Sequence, residues 1–247
     1  ENSDHDNEAT TINNCNTNNL SLAVCDSLGT YQTSLVGYNL RYNTLDRNLD
    51  PTDGVFASFG QQFAGLGGDS YYIKTEAQAR AYKEILADYG LVGSLQIRGG
   101  NIMALGDERL RVSEQCMRGG TLVRGFENQG IGPRDATTDD AIGGRFFFAA
   151  TAEGTFPFPI IPKEFGLSGA LFADAGSLWD ADSDLVILVE DIGGRIDSND
   201  LAIRASVGAG IRWRSPFGPI RADFAYPVVK EDSDKTQLFR LSGGTRF

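Results

Sequence analysis

The groups in this sequence that could do chemistry are few: the carboxylates Glu153 and Asp174, the arginine Arg124, and a single histidine, His5. A carboxylate pair can work as general acid and base. An arginine lodged between them would neutralise both and leave neither free to move a proton, so the trio predicts an ion-paired structural site. His5 lies in a polar N-terminal segment away from any strand, which leaves a hydrolase without the base its nucleophile needs. His, Cys and carboxylates do not recur at metal-ligand spacing. The acidic stretches 180–184 and 230–234 lack the EF-hand pattern and are expected to be solvated surface. The sequence thus predicts no enzyme, no metal and no cofactor.

Arg124 belongs to the stretch Leu122-Val123-Arg124-Gly125-Phe126-Glu127-Asn128-Gln129-Gly130-Ile131-Gly132-Pro133-Arg134. Its glycines and proline break any helix or central strand, while Leu122, Val123, Phe126 and Ile131 argue against a freely solvated loop. It reads as a long loop tucked against something. Arg124, carried inside with it, needs a carboxylate, because an unpaired buried charge is costly. Counting by two puts Glu153 and Asp174 on the polar face of adjacent strands that follow the loop. A loop folded back into a lumen would bring Arg124 between them; the alternative is that all three are independently solvated.

The elements that must position these groups are strands. The chain of 247 residues suits one large all-β domain or two smaller ones, and its net charge of −11 argues against a nucleic-acid partner. No apolar run is long enough for a transmembrane helix, but barrel strands alternate lipid-facing and lumen-facing residues and average to a mild hydropathy. Thirty glycines, fifteen phenylalanines and eight tyrosines suit a sheet with close backbone approaches and aromatic girdles. Cys15 and Cys25 bracket an Asn-rich segment; they could close a disulfide in an oxidising compartment or stay as thiols in a tail, with Cys116 left over. The chain opens at Glu1 with neither Met nor a signal peptide, which suggests a mature or truncated fragment.

Residues 1–30, rich in Asn, Asp and Thr, are expected to be a polar surface loop or tail. From residue 31 to 247 the period is two, and nine strands are expected at about 31–43, 54–63, 70–83, 90–100, 144–156, 165–177, 202–214, 220–226 and 237–247. In the clearest, Ile203, Ala205, Val207, Ala209, Ile211 and Trp213 share one face and Arg204, Ser206, Gly208, Gly210 and Arg212 the other. By the same count Phe172 and Asp174 face inward on one strand and Glu153 on another. Phe239, Leu241, Gly243 and Phe247 share one face of the last. Short links (46–53, 83–89, 157–164, 215–219) alternate with long ones (100–143, 179–201, 227–236). That segregation belongs to an antiparallel transmembrane β-barrel; a soluble sandwich gives the alternation without it.

The motif Val123-Arg124-Gly125-Phe126 resembles the VRGF motif in the sixth surface loop of the BamA superfamily of outer-membrane assembly and secretion barrels. Gly130-Ile131-Gly132-Pro133-Arg134 is similar to the continuation of that loop in the assembly-factor branch. Phe172-Ala173-Asp174-Ala175-Gly176 resembles the FxDxG motif of the thirteenth strand, built on Phe172, Asp174 and Gly176, and Glu153 stands where the twelfth strand carries a glutamate. Leu45-Asp46, Pro51-Thr52-Asp53-Gly54, Ser215-Pro216-Phe217-Gly218-Pro219 and the terminal Phe247 of a β-signal strand match as well.

The resemblance implies the carboxy-terminal nine strands of a sixteen-stranded barrel with a long lumen-folded loop, an arginine docked on acidic residues, and an integral place in the outer membrane of a Gram-negative bacterium. It implies an assembly factor that inserts nascent outer-membrane proteins through a lateral seam beside the last strand, touching outer-membrane lipid and binding lipoprotein subunits through periplasmic domains outside this sequence. Phe239, Leu241, Gly243, Gly244 and Phe247 would form the seam and terminal signal. Gly243 and Gly244 could equally accommodate barrel curvature. The alternative function is a two-partner-secretion-type translocation pore or a passive porin.

Overall fold

The computed structural model describes residues 20–106, 108–162, 165–191, 193–215 and 218–243. Nine strands form one antiparallel sheet in chain order: β1 (Thr33–Asn43), β2 (Gly54–Gly68), β3 (Tyr72–Leu86), β4 (Leu91–Ala104), β5 (Phe146–Pro157), β6 (Leu167–Trp179), β7 (Arg204–Ser215), β8 (Gly218–Val229) and β9 (Phe239–Gly243). Among the described residues β1 and β9 do not pair with each other, so the sheet is open. It is also strongly curled. Asp50, in the link between β1 and β2, accepts a 2.7 Å hydrogen bond from Arg212 of β7, on the far side of the sheet.

The period-two pattern sets the two faces, because successive side chains of a strand point opposite ways. Leu40, Leu95, Ile97, Leu171, Val207, Ile211, Phe224 and Leu241 are exposed on the convex face, whereas Asp174, Arg204, Ser206 and Asp223 are buried on the concave one. This inversion of the usual soluble pattern is what a lipid-facing barrel wall requires. One polar group on the convex side is satisfied locally: the Tyr38 hydroxyl donates to Gln61 Oε1 at 2.7 Å and Gln61 Nε2 to Thr75 Oγ1 at 3.2 Å, a ladder across β1, β2 and β3.

The links segregate as the sequence predicts, with one exception. The links β1–β2, β3–β4 and β5–β6 lie at one rim, and β4–β5, β6–β7 and β8–β9 at the other. At that second rim, however, β2 and β3 are joined by residues 69–71 alone.

Two short helices depart from the expectation. Leu22–Asp26 (α1) lies in the region expected to be a polar surface loop or tail, with Leu22, Ala23 and Cys25 buried; Ser183–Glu190 (α2) lies in a long link. They pack on each other and on Val112, Ile142 and Ala181 to form a second apolar core above the sheet. Each helix is too short for its period to stand out in the sequence. The acidic stretches are not simple solvated surface either. Asp182 caps α2 by accepting from the Asp184 amide at 3.2 Å, and burial pushes its carboxyl above the usual range. Asp180 binds Arg145 at 2.8 Å, and Asp234 is held by Arg204 with both side chains almost completely buried. Cys25 is disulfide-bonded, while Cys116 is a free, buried thiol whose pKa burial pushes up. Cys15, Pro216, Phe217, Gly244 and Phe247 lie outside the described residues.

The turn between β1 and β2 is organised by one carboxylate. Asp46 Oδ1 accepts from the Thr52 and Asp53 amides at 2.9 and 3.1 Å, and Oδ2 from the Thr52 hydroxyl at 2.8 Å and Arg47 Nε at 3.0 Å. The Thr52 hydroxyl, followed by the two amides, holds the Asp46 carboxyl well below the usual carboxylate range. A group depressed on folding contributes stability above its unfolded value of about 3.9 and loses it as pH falls through the folded value. Asp46→Asn should therefore weaken the turn at neutral pH and at pH 5 alike, and wild type and variant should converge only in stronger acid. Carbon NMR of the Asp46 carboxyl in micelles checks this; a midpoint near 3.9 in the folded protein would refute it.

Candidate functional site

β5 and β6 pair so that Thr151 lies opposite Asp174 and Glu153 opposite Phe172. Glu153 and Asp174 are thus diagonal neighbours on the concave face with the Phe172 ring beside them. The loop brings Arg124 onto all three. Arg124 Nε and Nη2 grip the Asp174 carboxylate at 2.6 and 2.8 Å, its own backbone N–H adds a 3.1 Å bond to Oδ2, and Nη1 donates to Glu153 Oε2 at 2.7 Å. The guanidinium stacks on Phe172, 3.4 Å from the ring centroid. This fork geometry is specific to arginine, since a lysine ammonium is a point charge without the paired coplanar N–H donors that grip Asp174 while the plane lies on the ring.

The network continues beyond the residues the sequence singled out. Arg221 of β8 donates to both oxygens of Glu153 at 3.0 and 2.7 Å and to Asp223 at 2.6 Å. Asp174, Arg124, Glu153, Arg221 and Asp223 therefore form a row of alternating charges across the lumen. Periodicity within a strand carries no information about which strands meet across a curled sheet, so nothing in the residue order points to the contact of Arg221 with Glu153.

The loop is also held by its backbone. Arg98 donates to the Thr121 and Leu122 carbonyls and Arg240 to the Phe126 carbonyl. Gln237 N donates to the Gly125 carbonyl, Glu127 N to that of Lys235, and Lys235 N to that of Gly130, each at 2.9 Å. Val123 and Phe126 are fully buried with Ile102, Leu122, Ile131, Phe147 and Leu178. Two glycines are required by this docking. Gly125 has φ +92°, and a Cβ on Gly176 would stand 2.7 Å from the Phe148 carbonyl oxygen and 3.0 Å from Val123. Arg134 is buried and donates to the Gln129 and Asp139 carbonyls, closing the far end of the loop on itself.

The proposed seam residues are placed more simply. Phe239 and Leu241 are exposed on the convex side of β9, and Gly243 ends its described part opposite Ile220. The arrangement at the lumen can bind and position a loop; its carboxylates are committed to guanidinium groups.

Over residues 1–247 the sequence matches the Omp85 superfamily domain. The chain belongs to the Omp85 superfamily. It is 38% identical over 219 residues to the outer membrane protein assembly factor BamA of Neorickettsia risticii, covering 89% of this chain and 28% of that protein. It is 26% identical to a SAM50-like protein of Schizosaccharomyces pombe, covering 81% of this chain and 41% of that one. The crystal structure of BamA from Haemophilus ducreyi lacking POTRA domains 1–3 shares the fold, with a TM-score of 0.74 at 24% identity over 84% of this chain and 41% of that chain. This Omp85 chain therefore spans less than half the length of these relatives.

Arg124→Ala should leave the strands formed and release the loop. Removing one partner of a buried ion pair costs about 3 kcal/mol, and Glu153 keeps Arg221. Limited proteolysis should show new cleavage between Met117 and Arg134; an unchanged pattern would mean that Arg124 does not hold the loop. Arg124→Lys should release it almost as completely, because the fork is lost.

Proposed function

We propose that this chain is the carboxy-terminal barrel portion of an outer-membrane protein assembly factor. It would be integral to the outer membrane of a Gram-negative bacterium and act on nascent outer-membrane proteins. The observation that carries the reading is Arg124, fixed between Asp174 and Glu153 within an Omp85 fold whose relatives bear the name outer membrane protein assembly factor. A fixed lumen loop gives the wall a rigid internal brace and commits the charged groups to structure. The work is then strand exchange, with no hydrolytic step and no cofactor.

In this reading the client enters by β-augmentation, in which a sheet edge donates its unpaired backbone groups to an incoming strand. β9 supports that role, because it pairs with β8 and carries exposed Phe239 and Leu241 toward lipid. Gly243 and Gly244 would lower the cost of opening the edge, with Phe247 as the terminal signal. Lipoprotein partners would bind periplasmic domains outside this chain, while the wall contacts outer-membrane lipid.

The test is reconstitution of the full-length protein into liposomes with an unfolded barrel client, scored by the client's heat-resistant folded form, with ion conductance recorded in parallel. The proposal expects client folding that falls at least tenfold in Arg124→Ala, and little steady conductance in the wild type. Steady conductance without client folding would instead identify a translocation pore or porin.

A further inference from the structure

Below the docked loop lies a cavity of about 540 Å³. The loop residues Thr121, Leu122 and Arg124 roof it and the β1–β2 turn, through Asp50 and Thr52, floors it. Its size is that of an ordinary small-ligand pocket. Its charge is opposite to that of the chain: seven arginines and four carboxylates line it, in a protein of net charge −11.

Most of those arginines are already neutralised. Asp50 takes Arg212 and Arg214, and Glu153 and Asp174 take Arg124 and Arg221. Arg80 and Arg98 differ. Among the described residues neither forms an ion pair with a carboxylate. Arg98 donates only to the Thr121 and Leu122 carbonyls, and Arg80 only to Gln78 Oε1 at 3.4 Å, with its Nε buried and unpartnered. Register makes them diagonal neighbours, since Gln78 lies opposite Arg98 and Arg80 opposite Gln96 on the concave faces of β3 and β4.

We propose that Arg80 and Arg98 form an oxyanion-binding site that takes a phosphate or a carboxylate. Two adjacent guanidiniums offer forked N–H donors matched to either group. A bound anion would relieve their mutual repulsion. The polar walls would expel the acyl chains of an intact lipid, which favours a small oxyanion or the end of a peptide chain. The site stands on lumen geometry alone, whatever the protein assembles.

The test is thermal unfolding of the full-length protein in detergent, titrated with sodium phosphate at constant ionic strength balanced by sodium chloride. Phosphate should raise the wild-type midpoint saturably, and Arg80→Gln should weaken the apparent affinity at least tenfold. Without phosphate, Arg80→Gln should unfold no earlier than wild type, because it removes a repulsion. Arg80→Glu should unfold later, by pairing with Arg98, and should not respond to phosphate. A tetrapeptide with a free carboxyl terminus, compared with its amide, distinguishes the sources: protection by the free acid alone indicates a chain end, and protection by phosphate alone a phosphate. Arg98→Gln, which also loosens the loop, should lose the same response. A phosphate effect equal in wild type and Arg80→Gln, or one reproduced by sodium chloride, overturns the proposal.

Discussion

One largely buried guanidinium organises this structure. A loop of more than thirty residues between β4 and β5 would be costly to fix by packing alone, since each ordered residue loses about 1–2 kcal/mol of backbone entropy. Arg124 concentrates the return at one point, where it meets two carboxylates and an aromatic face on β5 and β6. Arg221 extends the same row to β8. Each ion in it is solvated by its neighbours, so none bears its desolvation cost alone. The buried Val123 and Phe126 then fit on either side, and the main-chain bonds to residues 235–237 align the loop with the approach to β9.

The wall around that brace obeys a different solvent. Its apolar side chains face outward, and its polar ones face a lumen where charge can be paired. A closed sheet satisfies every backbone group between neighbours, which hydrocarbon demands. The ladder through Tyr38, Gln61 and Thr75 shows the same demand met by side chains. The result is a division of labour, with the charged residues inside holding shape and the apolar outer face turned toward lipid.

Much of this was legible from the sequence because a strand writes its two faces directly into residue order. The alternation in 202–214 specifies β7 and its inward Arg204, and the same count puts Glu153 and Asp174 on one face near the Arg124 loop. What stayed hidden depends on curvature. Arg221 reaches Glu153 across three strand positions, and Arg204 reaches Asp234 in a link that read as solvated acid. Neither pairing has a period to reveal it. The helices escaped for another reason: in Leu22–Asp26 one turn of apolar residues is indistinguishable from a strand fragment, and its burial depends on α2, far away in sequence.

Asp50 gives the curl of the sheet a mechanical meaning. Held at φ +50°, it reaches from a turn near one edge to Arg212 and Arg214 of β7, at 2.7 and 3.3 Å, like a tie-rod across an arch. These side chains are one-third exposed or more, so each link contributes on the order of 0–1 kcal/mol and is screened by salt. A tie of that strength does not lock the arch. It sets a preferred span that modest outward force can exceed, so the lower mouth is a yielding boundary beneath a rigidly pinned interior.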